Sequence, residues 1–352
     1  MLWLNSALWF AFLAAGTPIG TVEDYARSLE DRHDLSEQDF TSIKYYVQHA
    51  AAAYCNFNAD PGKTVICGKN ACPLVQRNKA TVVDSFVGQY TGIGAYVAVD
   101  KIRKEIVLSV RGSNNIRNFI TDIIFAWQRC DFVNDCKVHT GFAKSWEEIQ
   151  DSATRAMKTA RDQYPGYRLV ATGHSLGGSV ATLGAAYMRR NGFPVDVYTY
   201  GSPRVGNDAF ANWMTSQPGG QWRITHDADP VPRLPPIFVG YRHISPEYWL
   251  SNGRDSQNDY PISQVEVCRG IANTECNGGT FGLDVTAHLH YLGDTSGCSG
   301  FPLKWKRDDV SIRPQDHRLD GWRRDDPSNE ELEQRLNEWS QKDQEFVKNG
   351  TK

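Results

Sequence analysis

One stretch limits what this chain can fold into more than any other: Tyr167-Arg168-Leu169-Val170-Ala171-Thr172-Gly173-His174-Ser175-Leu176-Gly177-Gly178-Ser179. A short apolar run enters Gly173-x-Ser175-x-Gly177, and a helix-forming run from Ser179 to Arg190 leaves it. Strand, sharp turn and helix in that order make a nucleophile elbow, with the serine hydroxyl lifted above the edge of a sheet. Glycine is needed two residues before and after the serine, because strand and helix nearly touch there and a Cβ would clash. The helix start also turns free N–H groups and a positive dipole end toward the reacting centre.

The rest of the middle of the chain agrees with an α/β architecture. Glu105–Val110, Val195–Tyr200 and Trp222–Thr225 read as strands, and so does the region from Phe86 to Val99. Helical patterns fall between them: Phe40, Ile43, Tyr46, Val47, Ala50 and Ala51 in a first helix, then Glu147 to Tyr164 and Asn207 to Thr215. Alternating strands and helices predict a mostly parallel sheet covered on both faces, an α/β-hydrolase fold over residues 35–300. A hydrophobic fraction of 40% suffices for its core, and a net charge of -3 gives no footprint for nucleic acid.

Met1 to Gly20 is apolar from Leu8 to Ala15 and ends in small residues, as a secretory signal does, although no Lys or Arg precedes the apolar run. Residues 21–34 are polar, like a pro-segment or mobile arm. Eight cysteines, an even count, fit export and four disulfides. Three pairs are close in sequence, Cys67 with Cys72, Cys130 with Cys136 and Cys268 with Cys276; Cys55 and Cys298 remain to tie the domain's start to its end. None of these spacings suits zinc, and no metal is expected.

Asn114 to Trp127 carries Ile116, Phe119, Ile120, Ile123, Ile124 and Trp127 on one stripe and polar residues opposite, which predicts one amphipathic helix. It either packs plainly on the core or serves as a lid that turns its apolar face to lipid. Residues 303–352 hold 11 Lys and Arg and 12 Asp and Glu, a tail too polar to extend the core. Its pairs Lys306-Arg307 and Arg323-Arg324 are candidate processing sites. Within it, Ser328 to Val347 can form a helix with Leu332, Leu336 and Trp339 on one side, able to dock on the body.

A serine hydroxyl needs a base to take its proton and a carboxylate to orient that base, and in this fold they follow in the order Ser, acid, His. Asp229, opening a proline-braced loop after the strand at Trp222, is the first candidate acid and Asp227 the second. His243 reads as a strand residue and His317 lies in the tail, which leaves His288 and His290 for the base. The residues alone do not choose between these two. His174 is expected to point away from Ser175 and to pack.

Five ordered stretches resemble the secreted filamentous-fungal triacylglycerol lipases of the Rhizomucor and Thermomyces type, and most closely those of Fusarium-like fungi. They are Arg111-Gly112-Ser113 with Ile116-Arg117-Asn118, Val138 to Phe142, Thr172 to Gly178, Gly201 to Asn207 and Asp229 to Pro236. The resemblance runs from about Phe40 to Cys298. It implies Asp229 as acid and His288 as base, the hydroxyl-bearing Ser113 and the N–H of Leu176 as oxyanion donors, and a lid carrying Ile116, Phe119 and Ile120. It also implies a framework disulfide Cys55–Cys298. Arg233 inside the proline loop and Ala287 before the base depart from the pattern.

The expectation is a secreted, monomeric lipase that hydrolyses fatty-acyl glycerols through an acyl-enzyme, without cofactor, at an emulsion or membrane surface met by its lid. A phospholipase or galactolipase would share the triad. A soluble-ester esterase of the feruloyl type would lack the apolar lid, and an inactive binding protein would not need to keep Ser175, Asp229 and His288.

Overall fold

Glu105–Val110 is buried at every position, which only a strand covered on both faces can be. In the computed structural model, which describes residues 35–113, 115–298 and 327–350, this strand is β3. The others are β1 (Thr81–Val87), β2 (Gly94–Asp100), β4 (Trp127–Arg129), β5 (Lys137–His139), β6 (Arg168–His174), β7 (Val195–Tyr200), β8 (Gln221–His226), β9 (Glu247–Leu250) and β10 (Val265–Cys268). Eight strands form one sheet in the order β1-β2-β3-β6-β7-β8-β9-β10. Pairing is parallel from β3 through β9 and antiparallel at both margins. The neighbours β4 and β5 form a separate two-stranded ribbon.

Helices α1 (Glu37–Asn56), α2 (Pro73–Arg77), α3 (Ile116–Asp122), α4 (Thr140–Gln163), α5 (Leu176–Arg190), α6 (Asp208–Ser216), α7 (Val285–Leu289) and α8 (Asn329–Gly350) complete the α/β-hydrolase architecture. On one face Ile106, Leu108 and Val110 pack with Trp146, Ile149 and Met157 of α4 and Val180 and Leu183 of α5. On the other, α1 is bonded to the strands through its own carbonyls: the Tyr200 hydroxyl donates to Ile43 O (2.6 Å) and that of Ser109 to His49 O (2.8 Å). All eight cysteines are paired as expected, and Cys55–Cys298 spans 243 residues.

Four expectations change. The helix expected from Asn114 to Trp127 runs only from Ile116 to Asp122. Ile123 turns extended (φ -61°, ψ 116°), Ile124 is 75% exposed, and Trp127 joins β4, where it stacks on Tyr241. The run of β-branched residues and the strand pairing of Trp127 with His139 win over the helical period. Conversely, α4 starts seven residues before Glu147, because His139 Nδ1 accepts from Gly141 N and caps it. His243 is buried outside any strand, its Nε2 donating to Pro232 O (2.7 Å).

The fourth change is the tail. Helix α8 does dock, but it also enters the core: Leu332 and Leu336 are buried in one cluster with Ile116, Ile120, Val231 and Leu234. Its first turn is a capping box, with Glu331 N donating to Ser328 Oγ and Ser328 N to Glu331 Oε2. The segments 1–20 and 21–34, both dibasic pairs and His317 lie outside the described residues.

Candidate active site

Ser175 sits between β6 and α5 in a left-handed conformation (φ 57°, ψ -135°) that side chains avoid. The turn is held by Ser175 N donating to Tyr200 O and Gly178 N to Ser175 O, both 2.9 Å. The glycine requirement is steric. A Cβ on Gly173 would lie 2.3 Å from Gly177 O, and one on Gly177 would lie 2.1 Å from Val110 O.

The loop after β8 and the short helix α7 bring two more side chains to this edge. Asp229 Oδ2 accepts from His288 Nδ1 at 2.8 Å, and Asp229 Oδ1 accepts from Val231 N at 2.8 Å. Ser175, Asp229 and His288 are all 0% exposed. Ser175 Oγ and His288 Nε2 are the polar atoms left without a hydrogen-bond partner here, a costly condition unless the two serve each other during a reaction. His290 is turned away and meets Asn258 Oδ1, and Asp227 contributes its carbonyl to Trp249 and Asn277.

Three further residues support this site. The Tyr291 hydroxyl is a second donor to Asp229 Oδ2; burial and that carboxylate push its pKa well above the usual value, so it keeps its proton. Gly201, at φ 59°, leaves room for the cluster: a Cβ would come within 2.9 Å of Asp229 Oδ2 and of the Tyr291 hydroxyl. Asn277 Nδ2 donates to both Asp227 O and Asp229 O at 3.0 Å and braces the acid loop.

Two buried histidines hold the backbone at His288 itself. A carbonyl can only accept, so His174 Nε2 donates to His288 O (2.7 Å) while its Nδ1 accepts from the Tyr54 hydroxyl (2.9 Å). Burial, and then the neighbouring His288, lower the pKa of His174 well below that of a free imidazole and keep it neutral. His226 repeats the device one residue earlier: Nδ1 donates to Ala287 O (2.9 Å), and Nε2 accepts from the Tyr260 hydroxyl (2.7 Å). His174 is therefore a polar tie rather than simple packing.

Leu176 opens α5, and the N–H groups of a helix's first turn have no partner within the helix. The Ser113 hydroxyl donates to Asn115 O (3.2 Å), the residue that caps α3. Helix α3 packs against the loop that carries Asp229: Ile116 and Ile120 are buried in one cluster with Val231 and Leu234, and Phe119 is half-buried against it. Arg233, the departure in the proline loop, is buried and spans from Thr280 O (3.0 Å) to Ser340 Oγ of α8 (3.1 Å). Burial lowers its pKa to about 10, so it stays charged. Among the described residues no group of three or more His, Cys, Asp or Glu is arranged to hold a metal ion.

With this geometry in place, comparison with known proteins is specific. The family model described as lipase (class 3) matches residues 107–239. The secreted mono- and diacylglycerol lipase 1 of Fusarium solani is 49% identical over 352 residues, all of both chains. The crystal structure of the mono- and diacylglycerol lipase from Aspergillus oryzae superposes with a TM-score of 0.71 at 34% identity, covering 75% of this chain and 99% of its own. A triacylglycerol lipase whose catalytic centre is described as a serine protease triad does so with a TM-score of 0.66 at 31% identity, covering 75% of this chain and 98% of its own. Fold, site geometry and kinship agree: the chain belongs to the class 3 lipases.

Proposed function

We propose that Ser175 is the nucleophile, His288 the general base and Asp229 its orienting acid in a secreted lipase that hydrolyses carboxylic esters of glycerol. The observation that carries this reading is the 2.8 Å His288–Asp229 bond beside two buried, unpartnered atoms, Ser175 Oγ and His288 Nε2. His288 Nε2 takes the proton as Ser175 Oγ bonds to the acyl carbon. The oxyanion is met by the Leu176 N–H and the Ser113 hydroxyl. When the tetrahedral intermediate collapses, the ester bond to glycerol breaks and His288 returns its proton to the departing oxygen. Water then gives a proton to His288 as its oxygen attacks the acyl-enzyme, and His288 passes that proton to Ser175 Oγ as the acyl bond breaks and the fatty acid leaves.

A site with no exposed catalytic residue must open first, and α3 is the lid that does so. Its apolar residues Ile116, Phe119 and Ile120 meet the surface of an emulsion droplet or membrane in the open form. Opening also has a chemical consequence. The Ser113 hydroxyl is held by Asn115 O while α3 is closed, so movement of Asn115 frees this donor to face the substrate. The enzyme acts as a monomer, its apolar lid covered by its own chain.

The relatives' names favour partial glycerides as substrates beside triacylglycerols. The test measures hydrolysis of mono-, di- and triacylglycerols across the concentration at which droplets form, with Ser175→Ala beside the wild type. A sharp rise at that threshold, absent in the variant, is expected. Smooth saturation on dissolved ester with no emulsion activity would remove the lid from the account, and an active Ser175→Ala would remove the triad.

A further inference from the structure

The last helix has two halves that do different things. Along its inner stripe stand Leu332, Leu336, Ser340 and Asp343, all buried. The second half is anchored by polar bonds to fixed parts of the body. Asp343 Oδ2 pairs with Arg204 (3.1 Å) and its Oδ1 accepts from Phe238 N (3.0 Å), while Ser340 Oγ accepts from Arg233 (3.1 Å). Between the halves, Asn337 Oδ1 accepts from Gly282 N (2.6 Å). Arg204 and Asp343 are 2% and 3% exposed at the side chain, so this anchor is shielded from water and salt.

The first half touches the lid as well as Val231 and Leu234 of the body. Leu332 and Leu336 share one apolar cluster with Ile116 and Ile120, and beyond Asn337 the second half adds Trp339, edge-on against Phe125 just past the lid (5.2 Å). Arg117, on the lid, donates to Asn329 Oδ1 (3.3 Å) and to Pro327 O at the start of α8. The face of α3 that lipid would contact is thus already occupied by another part of the same chain.

We propose that α8 is a built-in clamp which holds the lid shut and competes with lipid for the apolar face of α3. This rests on the reading of α3 as lid and Ser175 as nucleophile. The anchored half keeps α8 in place, and the lid-facing half must release Ile116 and Ile120 before Ser175 can be reached. The stretch of Leu332 and Leu336 therefore sets how readily the enzyme opens without an interface, while leaving the chemistry untouched.

The test pairs two variants of the full chain, Leu332→Ala/Leu336→Ala and Arg117→Ala, and reads three quantities. These are the rate on a short-chain ester kept below its solubility limit, kcat on a saturating emulsion, and amide hydrogen exchange in residues 116–122. Removing the two leucine contacts should raise the dissolved-ester rate by about tenfold, with emulsion kcat within about twofold of wild type. Exchange in α3 should quicken while that of β6 stays unchanged. Arg117→Ala should move the dissolved-ester rate the same way by a smaller factor. A dissolved-ester rate that does not rise in either variant overturns the clamp. Should the leucine variant fail to fold, Arg117→Ala decides alone by the same criterion. Adding Ser175→Ala to each variant separates the two readings: activity that survives it counts against the triad, whereas a lost triad activity with no gain beforehand counts against the clamp only.

Discussion

At Asp229, a single buried carboxylate takes bonds from His288, Tyr291 and the backbone of Val231. Tyr291→Phe removes one donor to the ionised oxygen and should lower kcat about tenfold with the fold intact, since a hydrogen bond to a charged group contributes about 1.5–3 kcal/mol. Steady-state kinetics beside a thermal melt would check it. His226→Phe should strand the Ala287 carbonyl and the Tyr260 hydroxyl, costing about 1–3 kcal/mol of stability and loosening the helix that carries His288. These supports explain why the site was only partly legible. Ser175 announced itself through its glycines, but His288 and His290 stand two residues apart in similar surroundings. What separates them is the reach of Asp229, a contact across 59 residues. His226 and Asn277 had no local signal at all.

Among the elements, the buried strands were the most legible because continuous apolar runs leave one option in a covered sheet, and β3 and β7 begin and end where their residues predict. The helix read from Asn114 to Trp127 is shorter than its residues predict, since the hydrophobic stripe continues past Asp122 to Trp127, whose strand partner His139 lies in β5. Helix α4 carries a pH dependence from its cap. His139 Nδ1 accepts from Gly141 N while its Nε2 donates to Ile124 O, a pattern only the neutral ring supports. Burial lowers its pKa to about 4, and burial does the same to His49 beneath the sheet, also to about 4. Both are depressed below the ordinary value, so their contribution to stability is complete above pH ~6.5 and is lost as pH falls toward 4. Urea unfolding midpoints measured from pH 7 to pH 4 should fall, and the His139→Gln variant should show a shallower fall than the wild type.

For the whole molecule, Cys55–Cys298 closes a loop of 243 residues around nearly the entire catalytic body. Replacing both cysteines with serine should cost about 5–6 kcal/mol by release of chain entropy, or a melting temperature lower by about 10 °C. The three short bridges should matter less, because loops of 5, 6 and 8 residues constrain little. The tail shows the limit of composition as a guide. Its charge content argued against any place in the core, yet four inward positions on one helix sufficed, and one of them is an aspartate whose arginine lies 139 residues away. Such a partner is invisible to any window of sequence. The complete burial of Ser175, Asp229 and His288 has a further consequence, one of dimension. On the lid and triad reading proposed above, a nucleophile that is uncovered only against fat responds to square metres of oil rather than to moles, so the same mass of substrate, beaten finer, should be consumed faster.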